Sequence, residues 1–267
     1  MDRRQSVLGE RISGDHGRVT ARLLVLVLLF SSAARADIPL AERRSGYEFM
    51  GRETRAMQDD DATNPAMLWV LDGGALWNRK AGAADKACAD CHGSMNGVAA
   101  HYPRLHAGRL LDLDRRINAC RVEQQKAPAL QLESHDMLAL SAYVGRQSRG
   151  MPINIEVTEE LKPFLEAGRA AFIRRMGQLN LACSQCHDDN WGKSLAGNPV
   201  PQAHPTGYPI YRLEWQGVGS LERRLRNCMI GVRAEPYEYG SPELVELELY
   251  LMWRARGMRL ETPAVRP

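Results

Sequence analysis

The chain has 267 residues, which is enough for one large domain or two domains of ordinary size. Its formal net charge of +3 arises within residues 1–36, which hold six of the 35 basic and three of the 32 acidic residues. The other 29 basic and 29 acidic residues balance. Composition therefore gives no reason to expect nucleic-acid binding.

Residues 1–36 are predicted to form a signal peptide. Arg18 and Arg22 precede the apolar run 23–30, and Ala34-Arg35-Ala36 offers an A-x-A cleavage site. The run is shorter than the roughly 20 apolar residues that a membrane span needs, and no second long apolar segment follows. We expect export to a bacterial periplasm and a mature chain without a membrane span.

Residues 37–64 are polar, charged and weakly periodic, and they predict an irregular N-terminal arm that could pack against a partner subunit. From Pro65 to Trp77, apolar residues recur at helical spacing ahead of Cys88-Ala89-Asp90-Cys91-His92. A second helix is predicted to start near Thr158 and to precede Cys183-Ser184-Gln185-Cys186-His187.

The two halves align with each other. Gly74 to Trp77 precedes the first CxxCH as Gly168 to Phe172 precedes the second. Further matches are Arg116 and Cys120 with Arg224 and Cys228, and Leu140, Tyr143 and Met151 with Leu247, Tyr250 and Met258. The pattern predicts a mainly α fold of two tandem cytochrome c-like domains, residues 65–154 and 155–267, with long haem-wrapping loops rich in Gly and Pro.

Each CxxCH motif is typical of covalent haem c attachment. Two thiols one helical turn apart can add to the two vinyl groups, and the adjacent histidine can bind iron. The motifs predict two haem c groups, attached through Cys88 and Cys91 and through Cys183 and Cys186, with His92 and His187 as iron ligands. A zinc ribbon is the alternative, but its cysteine pairs usually lie some 15–20 residues apart.

Spacing alone leaves the second iron ligand open. Met151 and Met258 each follow a glycine, as in electron-transfer cytochromes, whereas Cys120 and Cys228 could supply thiolates or form a disulfide with each other. Arg224 lies one helical turn before Cys228, where it would favour a thiolate and attract an anion, or simply belong to a solvated face. Further candidates are His101, His106, His135 and His204.

The chain resembles the SoxA family, the dihaem cytochrome subunits of SoxAX complexes in bacterial sulfur oxidation. The resemblance covers essentially all of residues 37–267. It rests on both CxxCH motifs and on residues 45–50, 64–70, 143–152, 209–215 and 224–229, which read SGYEFM, NPAMLWV, YVGRQSRGMP, PIYRLEW and RLRNCM.

The resemblance implies His92 and Cys120 as ligands of the first haem, and His187 and Cys228 as ligands of the second. It also implies that Cys228 is catalytic, carried as a persulfide-type cysteine, and that Arg224 binds substrate. The implied reaction is that of an L-cysteine S-thiosulfotransferase, which couples thiosulfate to a cysteine thiol of the SoxYZ carrier and passes two electrons to an acceptor cytochrome c. The implied partner subunit is SoxX, a monohaem cytochrome c.

Two other functions fit a dihaem chain. A dihaem electron-transfer cytochrome c would use Met151 and Met258 as ligands and carry out no chemistry of its own. A dihaem peroxidase would need one haem with an open or displaceable distal position, against which the cysteine in both repeats argues.

Overall fold

The computed structural model describes residues 38–195 and 197–267, so the predicted signal peptide lies outside the described residues. The described chain is mainly helical, as predicted. Its α-helices are α1 (Arg52–Asp59), α2 (Met67–Asn78), α3 (Leu113–Cys120), α4 (His135–Arg146), α5 (Lys162–Ile173), α6 (Cys183–His187), α7 (Leu221–Gly231) and α8 (Pro242–Arg254). None of the described helices has the length and apolar character needed to cross a membrane.

The strands are two or three residues long and form small hairpins. They are β1 (Arg104–His106), β2 (Arg109–Leu111), β3 (Ser194–Leu195), β4 (Asn198–Pro199), β5 (Ile210–Arg212), β6 (Gly217–Gly219) and β7 (Ala264–Arg266). β1 pairs with β2, β3 with β4 and β5 with β6, all antiparallel. β7, close to the C-terminus, pairs in parallel with β5.

Two helices in each half of the chain have a side-chain cap at the start, and the caps correspond between the halves. Ser134 and Ser241 accept hydrogen bonds from backbone amides three residues on, at the starts of α4 and α8. Asp112 and Ser220 do the same at the starts of α3 and α7. Such caps satisfy orphan amides of the first helical turn. We call α2 through α4 the first repeat and α5 through α8 the second repeat.

One helix pair forms the centre of each repeat, and a glycine brings the two helices into close contact. A Cβ atom at Gly73 of α2 would lie 2.0 Å from the carbonyl oxygen of Ala139 on α4. A Cβ atom at Gly168 of α5 would lie 1.9 Å from the carbonyl oxygen of Glu246 on α8. Only glycine allows backbones to approach this closely.

This contact corrects the alignment of the repeats by one residue. The sequence comparison pairs Gly74 with Gly168, whereas the structure gives Gly73 the same contact as Gly168. Trp77 and Phe172 then follow their glycines at equal distance, and each packs on a tyrosine of the partner helix, Tyr143 or Tyr250.

The segment predicted as an irregular arm contains one helix, α1, and two short 3₁₀ turns. The only buried side chain of α1 is Gln58, whose Oε1 accepts a hydrogen bond of 3.1 Å from the amide of Val265 in β7. Because this buried side chain is polar, hydrophobic periodicity could not indicate the helix. The arm packs on its own chain: Ser45 bonds to Glu261, and the Arg44 amide bonds to Gln202.

Candidate functional site

The second CxxCH motif occupies the short helix α6. The side chain of Gln185 accepts a 2.9 Å hydrogen bond from the amide of Ala182, which closes the first turn. Cys183 and Cys186 are therefore one turn apart on the same face, with His187 directly after them. The first motif begins with a 3₁₀ turn, Cys88–Asp90, in which Asp90 takes the place of Gln185 and accepts from the Ala87 amide at 2.8 Å.

The imidazole of His187 is oriented by the loop that follows it. Its Nδ1 lies 2.6 Å from the carbonyl oxygen of Pro201, which can only accept a hydrogen bond. Nδ1 must therefore carry the proton, and Nε2 keeps its lone pair for a metal. Burial lowers the pKa of His187, which keeps the ring neutral and suited to bind iron.

Cys228 comes to this motif from α7. Burial raises the pKa of the Cys183 thiol to about 11, and the nearby Cys228 sulfur adds to the shift. The placement is fixed by backbone bonds, because the amides of Gln178 and Leu179 donate to the carbonyls of Arg233 and Val232 just after α7. The charges of Cys186 and Cys228 both act on Cys183, so the structure brings these three thiols together, and His187 directly follows Cys186.

The first repeat builds the same arrangement. Burial raises the pKa of both Cys88 and Cys120; the charge of Cys120 adds to the shift at Cys88, and that of Cys91 adds to the shift at Cys120. The amides of Ala83 and Ala84 donate to carbonyls at the end of the helical segment that continues from Cys120. His92 lies against Trp77, with 5.7 Å between ring centroids.

Arg224 and its counterpart Arg116 differ in their partners. Arg224 is partly exposed, and its guanidinium forms no hydrogen bond or ion pair within the described residues. Its charge nevertheless acts on His187 and on Tyr208, since it opposes the rise in the pKa of Tyr208 that burial causes. In the first repeat, Nη1 of Arg116 lies 3.4 Å from Nε2 of His106.

The structure disfavours the other sulfur arrangements that the sequence left open. Cys120 and Cys228 form no disulfide with each other. Met151 and Met258 lie where the repeats pair as extended chains: the Gly150 amide donates to Leu260, the Leu260 amide to Met151, and the Ile153 amide to Met258, at 2.8–2.9 Å. These methionine segments join the two repeats.

The remaining histidines have other contacts. His135 Nε2 lies 2.9 Å from an Asp72 carboxylate oxygen at the surface, and His204 Nδ1 lies 3.0 Å from the Arg44 carbonyl oxygen. His106 contacts Arg116, and His101 is exposed in a 3₁₀ turn. Across residues 38–195 and 197–267, no group of three or more His, Cys, Asp or Glu side chains is arranged to hold a bare metal ion.

Sequence reasoning did not identify Tyr208 as a residue of the site. Tyr208 experiences the charges of both Arg224 and Cys228, and Tyr102 experiences those of Arg116 and Cys120. The signal was a repeated Tyr-Pro pair, Tyr102-Pro103 and Tyr208-Pro209, at the start of each hairpin.

Each repeat therefore offers a donor set that fits a covalently held haem. Two thiols lie one turn apart, an imidazole follows them, and a thiol comes from a separate helix. In the second repeat the tautomer of the imidazole is fixed for binding through Nε2. If a haem were bound, a thiolate ligand from the separate helix would stabilise its ferric state, because it would bring negative charge to the metal.

Comparison with known proteins agrees with this geometry. The family described as SoxA/TsdA, cytochrome c domain, matches residues 72–153 and 167–260. The chain is 38% identical to the L-cysteine S-thiosulfotransferase subunit SoxA of Pseudaminobacter salicylatoxidans, over 88% of this chain and 85% of that protein. It is 35% identical to the subunit of the same name from Rhodovulum sulfidophilum, over 94% and 98%.

A solved structure is also similar. A chain in the crystal structure of SoxXA from P. pantotrophus superimposes with a TM-score of 0.82 at 33% sequence identity. The match covers 84% of this chain and 87% of that chain. The similarity therefore extends over both repeats.

Proposed function

The chain belongs to the SoxA/TsdA cytochrome c family, and we propose that it acts as the catalytic subunit of an L-cysteine S-thiosulfotransferase. With two cytochrome c segments, it carries two covalently bound haem c groups. The substrates are thiosulfate and a cysteine thiol of a SoxYZ-type carrier protein. An acceptor cytochrome c takes the electrons.

One observation carries the proposal: the guanidinium of Arg224 lies one turn before Cys228 and has no partner within the described residues. A free guanidinium beside the thiol can bind an anion such as thiosulfate. The equivalent arginine of the first repeat, Arg116, instead contacts His106. This difference favours the second repeat as the reacting centre.

The overall reaction forms a sulfur–sulfur bond by oxidation. A cysteine thiol and thiosulfate give a cysteine S-thiosulfonate with one negative charge, and they release one proton and two electrons. We propose that the sulfur of Cys228, carried as a persulfide-type cysteine, first bonds to the outer sulfur of thiosulfate as two electrons leave. The thiosulfonate group is then transferred to the carrier thiolate by thiol exchange, which restores the persulfide-type form of Cys228.

We assign the haem-binding residues on the same basis. Cys183 and Cys186 would hold the second haem, with His187 and Cys228 as its iron ligands. Cys88 and Cys91 would hold the first, with His92 and Cys120. When bound, haem c supplies a one-electron acceptor next to the reacting sulfur, and the residues of this chain position it and exclude water.

Partners and location are part of the proposal. The similarity to a chain of SoxXA supports a heterodimer with a SoxX-type monohaem cytochrome. Haem c chemistry and the A-x-A site before Asp37 support export to the periplasm.

The first test replaces Cys228 in the haem-loaded heterodimer. Cys228→Ser should abolish one low-spin His/thiolate signal in low-temperature EPR, and it should lower carrier-dependent oxidation of thiosulfate on the order of a thousandfold or more. Met258→Leu is the matched control, because Met258 is the rival ligand, and it should leave both readouts unchanged.

The reverse pattern would contradict the proposal. His/Met spectra that change in Met258→Leu and not in Cys228→Ser, with no turnover in any form, would identify a dihaem electron carrier without its own catalysis.

A further inference from the structure

The two repeats carry different residues at one position of the site. β1 and β5 each begin two residues after the tyrosine of a Tyr-Pro pair, and each pairs antiparallel with the next strand. The last residue of β1 is His106, and the last residue of β5 is Arg212. Each lies four residues after its tyrosine, so Arg212 occupies the place of His106.

In the first repeat this position faces the helix that carries the cysteine. Nε2 of His106 lies 3.4 Å from Nη1 of Arg116, and Arg116 lies one turn before Cys120. Because α7 carries Arg224 and Cys228 with the same spacing, the end of β5 directs Arg212 towards Arg224. A histidine–arginine contact is thus replaced by two guanidinium groups.

The surroundings of Arg212 leave part of its hydrogen-bonding capacity unsatisfied. Its Nη2 lies 3.0 Å from a carboxylate oxygen of the exposed Glu214, and its guanidinium carbon lies 5.3 Å from the ring centroid of Trp215. Its Nε, however, is buried without a hydrogen-bond partner in the described part of the chain. A buried donor without a partner is costly unless a ligand satisfies it.

The charges around Arg212 also favour a bound anion. Burial lowers the pKa of Arg212, and the positive charge of Arg224 lowers it further, while the charges of Glu214, Tyr208 and Cys228 raise it. Two like charges that affect each other in a partly buried site repel, and an anion between them relieves the repulsion.

We infer that Arg212 is a second substrate-binding residue, which together with Arg224 forms a two-guanidinium site for the sulfonate end of a dianionic sulfur oxoanion beside Cys228. The inference rests on the proposed function for the identity of the anion. The inference also explains why the second repeat, and not the first, binds the substrate. In the first repeat the place of Arg212 is taken by His106, which contacts Arg116, so this position carries no second permanent charge for a dianion.

The test measures binding and turnover separately in the haem-loaded heterodimer. Equilibrium dialysis with radiolabelled thiosulfate, without carrier protein, gives the dissociation constant, and steady-state assays with carrier give KM and kcat. Arg212→Gln should raise both the dissociation constant and KM for thiosulfate on the order of tenfold to a hundredfold. Arg212→Lys should restore part of the affinity, because it keeps the charge but not the fork geometry.

Two further variants make the test specific. Arg212→His copies the first repeat, and at pH 8 it should weaken binding as much as Arg212→Gln, because the imidazole is then neutral. Arg169→Gln removes one positive charge from an exposed position of α5 and should change neither constant. The haem absorption spectrum verifies folding of each variant. If Arg212→Gln does not assemble, the thiosulfate affinities of Arg212→Lys and Arg212→His test the inference instead.

Unchanged thiosulfate affinity in Arg212→Gln, or in the two replacement variants, would overturn the inference. A wild-type protein that does not bind thiosulfate would overturn it as well. Binding that depends on Arg212 without any turnover would leave the inference standing and would contradict the proposed function, so the two failures are distinguishable.

Discussion

Gly73 and Gly168 show how a single atom determines the packing of each repeat. At both positions an added Cβ would overlap severely with a carbonyl oxygen, at 2.0 and 1.9 Å. Gly74, the adjacent residue, has more room: its Cβ would lie 3.2 Å from Cε2 of Tyr143, a side chain that can shift.

The two neighbouring glycines of α2 should therefore respond differently to alanine. Gly73→Ala should destabilise the protein by about 1–3 kcal/mol or more, because α2 and α4 must move apart. Gly74→Ala should stay within about 1 kcal/mol of wild type, since alanine favours the helix and offsets the tighter contact. Thermal unfolding of the haem-loaded variants checks this. Equal losses in both variants would contradict the assigned register.

At the scale of elements, buried carboxyl groups join helices of the two repeats. Arg115 of α3 contacts Asp112 and lies 3.0 Å from Glu222 of α7, and Glu222 also accepts from the Gly240 amide at 2.9 Å. Asp114 accepts a hydrogen bond from Ser141 of α4. Asp114, Tyr208 and Glu248 of α8 all line one cavity of about 70 Å³.

Asp114 should make the stability of the protein depend on pH. Burial, and next the charge of Asp112, raise the pKa of Asp114 to about 8, with smaller contributions from Glu133 and Glu222. The folded protein thus holds a proton that the unfolded chain releases near pH 4. This stabilisation is complete below that pH and is lost as the pH rises through about 8.

Asp114→Asn removes this titration. Between pH 6.5 and 9 the melting temperature of the wild type should fall. The melting temperature of Asp114→Asn should fall by a few degrees less, at roughly 2–4 °C per kcal/mol of stability. The slope should not vanish, because burial also raises the pKa of Glu248 and Glu222. Glu159→Gln, an exposed acid-to-amide change in the turn before α5, is the control. Parallel slopes in all three proteins would exclude Asp114 as the source.

How much the sequence predicts depends on what each element requires. The cysteines, the histidines and the helical repeats are evident, because covalent attachment and helix packing need fixed spacings along the chain. The roles of Tyr208 and Arg212 are not evident, because a hairpin brings them to α7 from a separate loop. Asp114 and Glu248 are indistinguishable in sequence from acids on solvated helix faces, and only the packing of the two repeats buries them.

At the scale of the whole molecule, the segments that follow α4 and α8 tie the two repeats together. The described residues form one compact unit. Gly150 to Ile153, after α4, pairs with Gly257 to Leu260, after α8, through four backbone hydrogen bonds of 2.8–2.9 Å. Because these bonds and the buried carboxyl groups join the repeats, neither repeat is expected to unfold alone.

Asn64 allows this coupling to be measured. Its Oδ1 accepts from the Ala66 amide at the start of α2, while its buried Nδ2 donates to the Pro263 carbonyl beside β7, both at 3.0 Å. Differential scanning calorimetry of the haem-loaded protein should show a single transition whose calorimetric and van't Hoff enthalpies agree. Asn64→Ala should lower the free energy of unfolding by about 1–3 kcal/mol, since the Pro263 carbonyl loses its donor. The transition should stay single and shift as a whole. Thr63→Ala, which removes an exposed local bond to the Asp60 carbonyl, should leave it nearly unchanged. If a second transition separated in Asn64→Ala, the repeats would be independent folding units joined only by their chain, and the coupling through the ends of the molecule would be refuted.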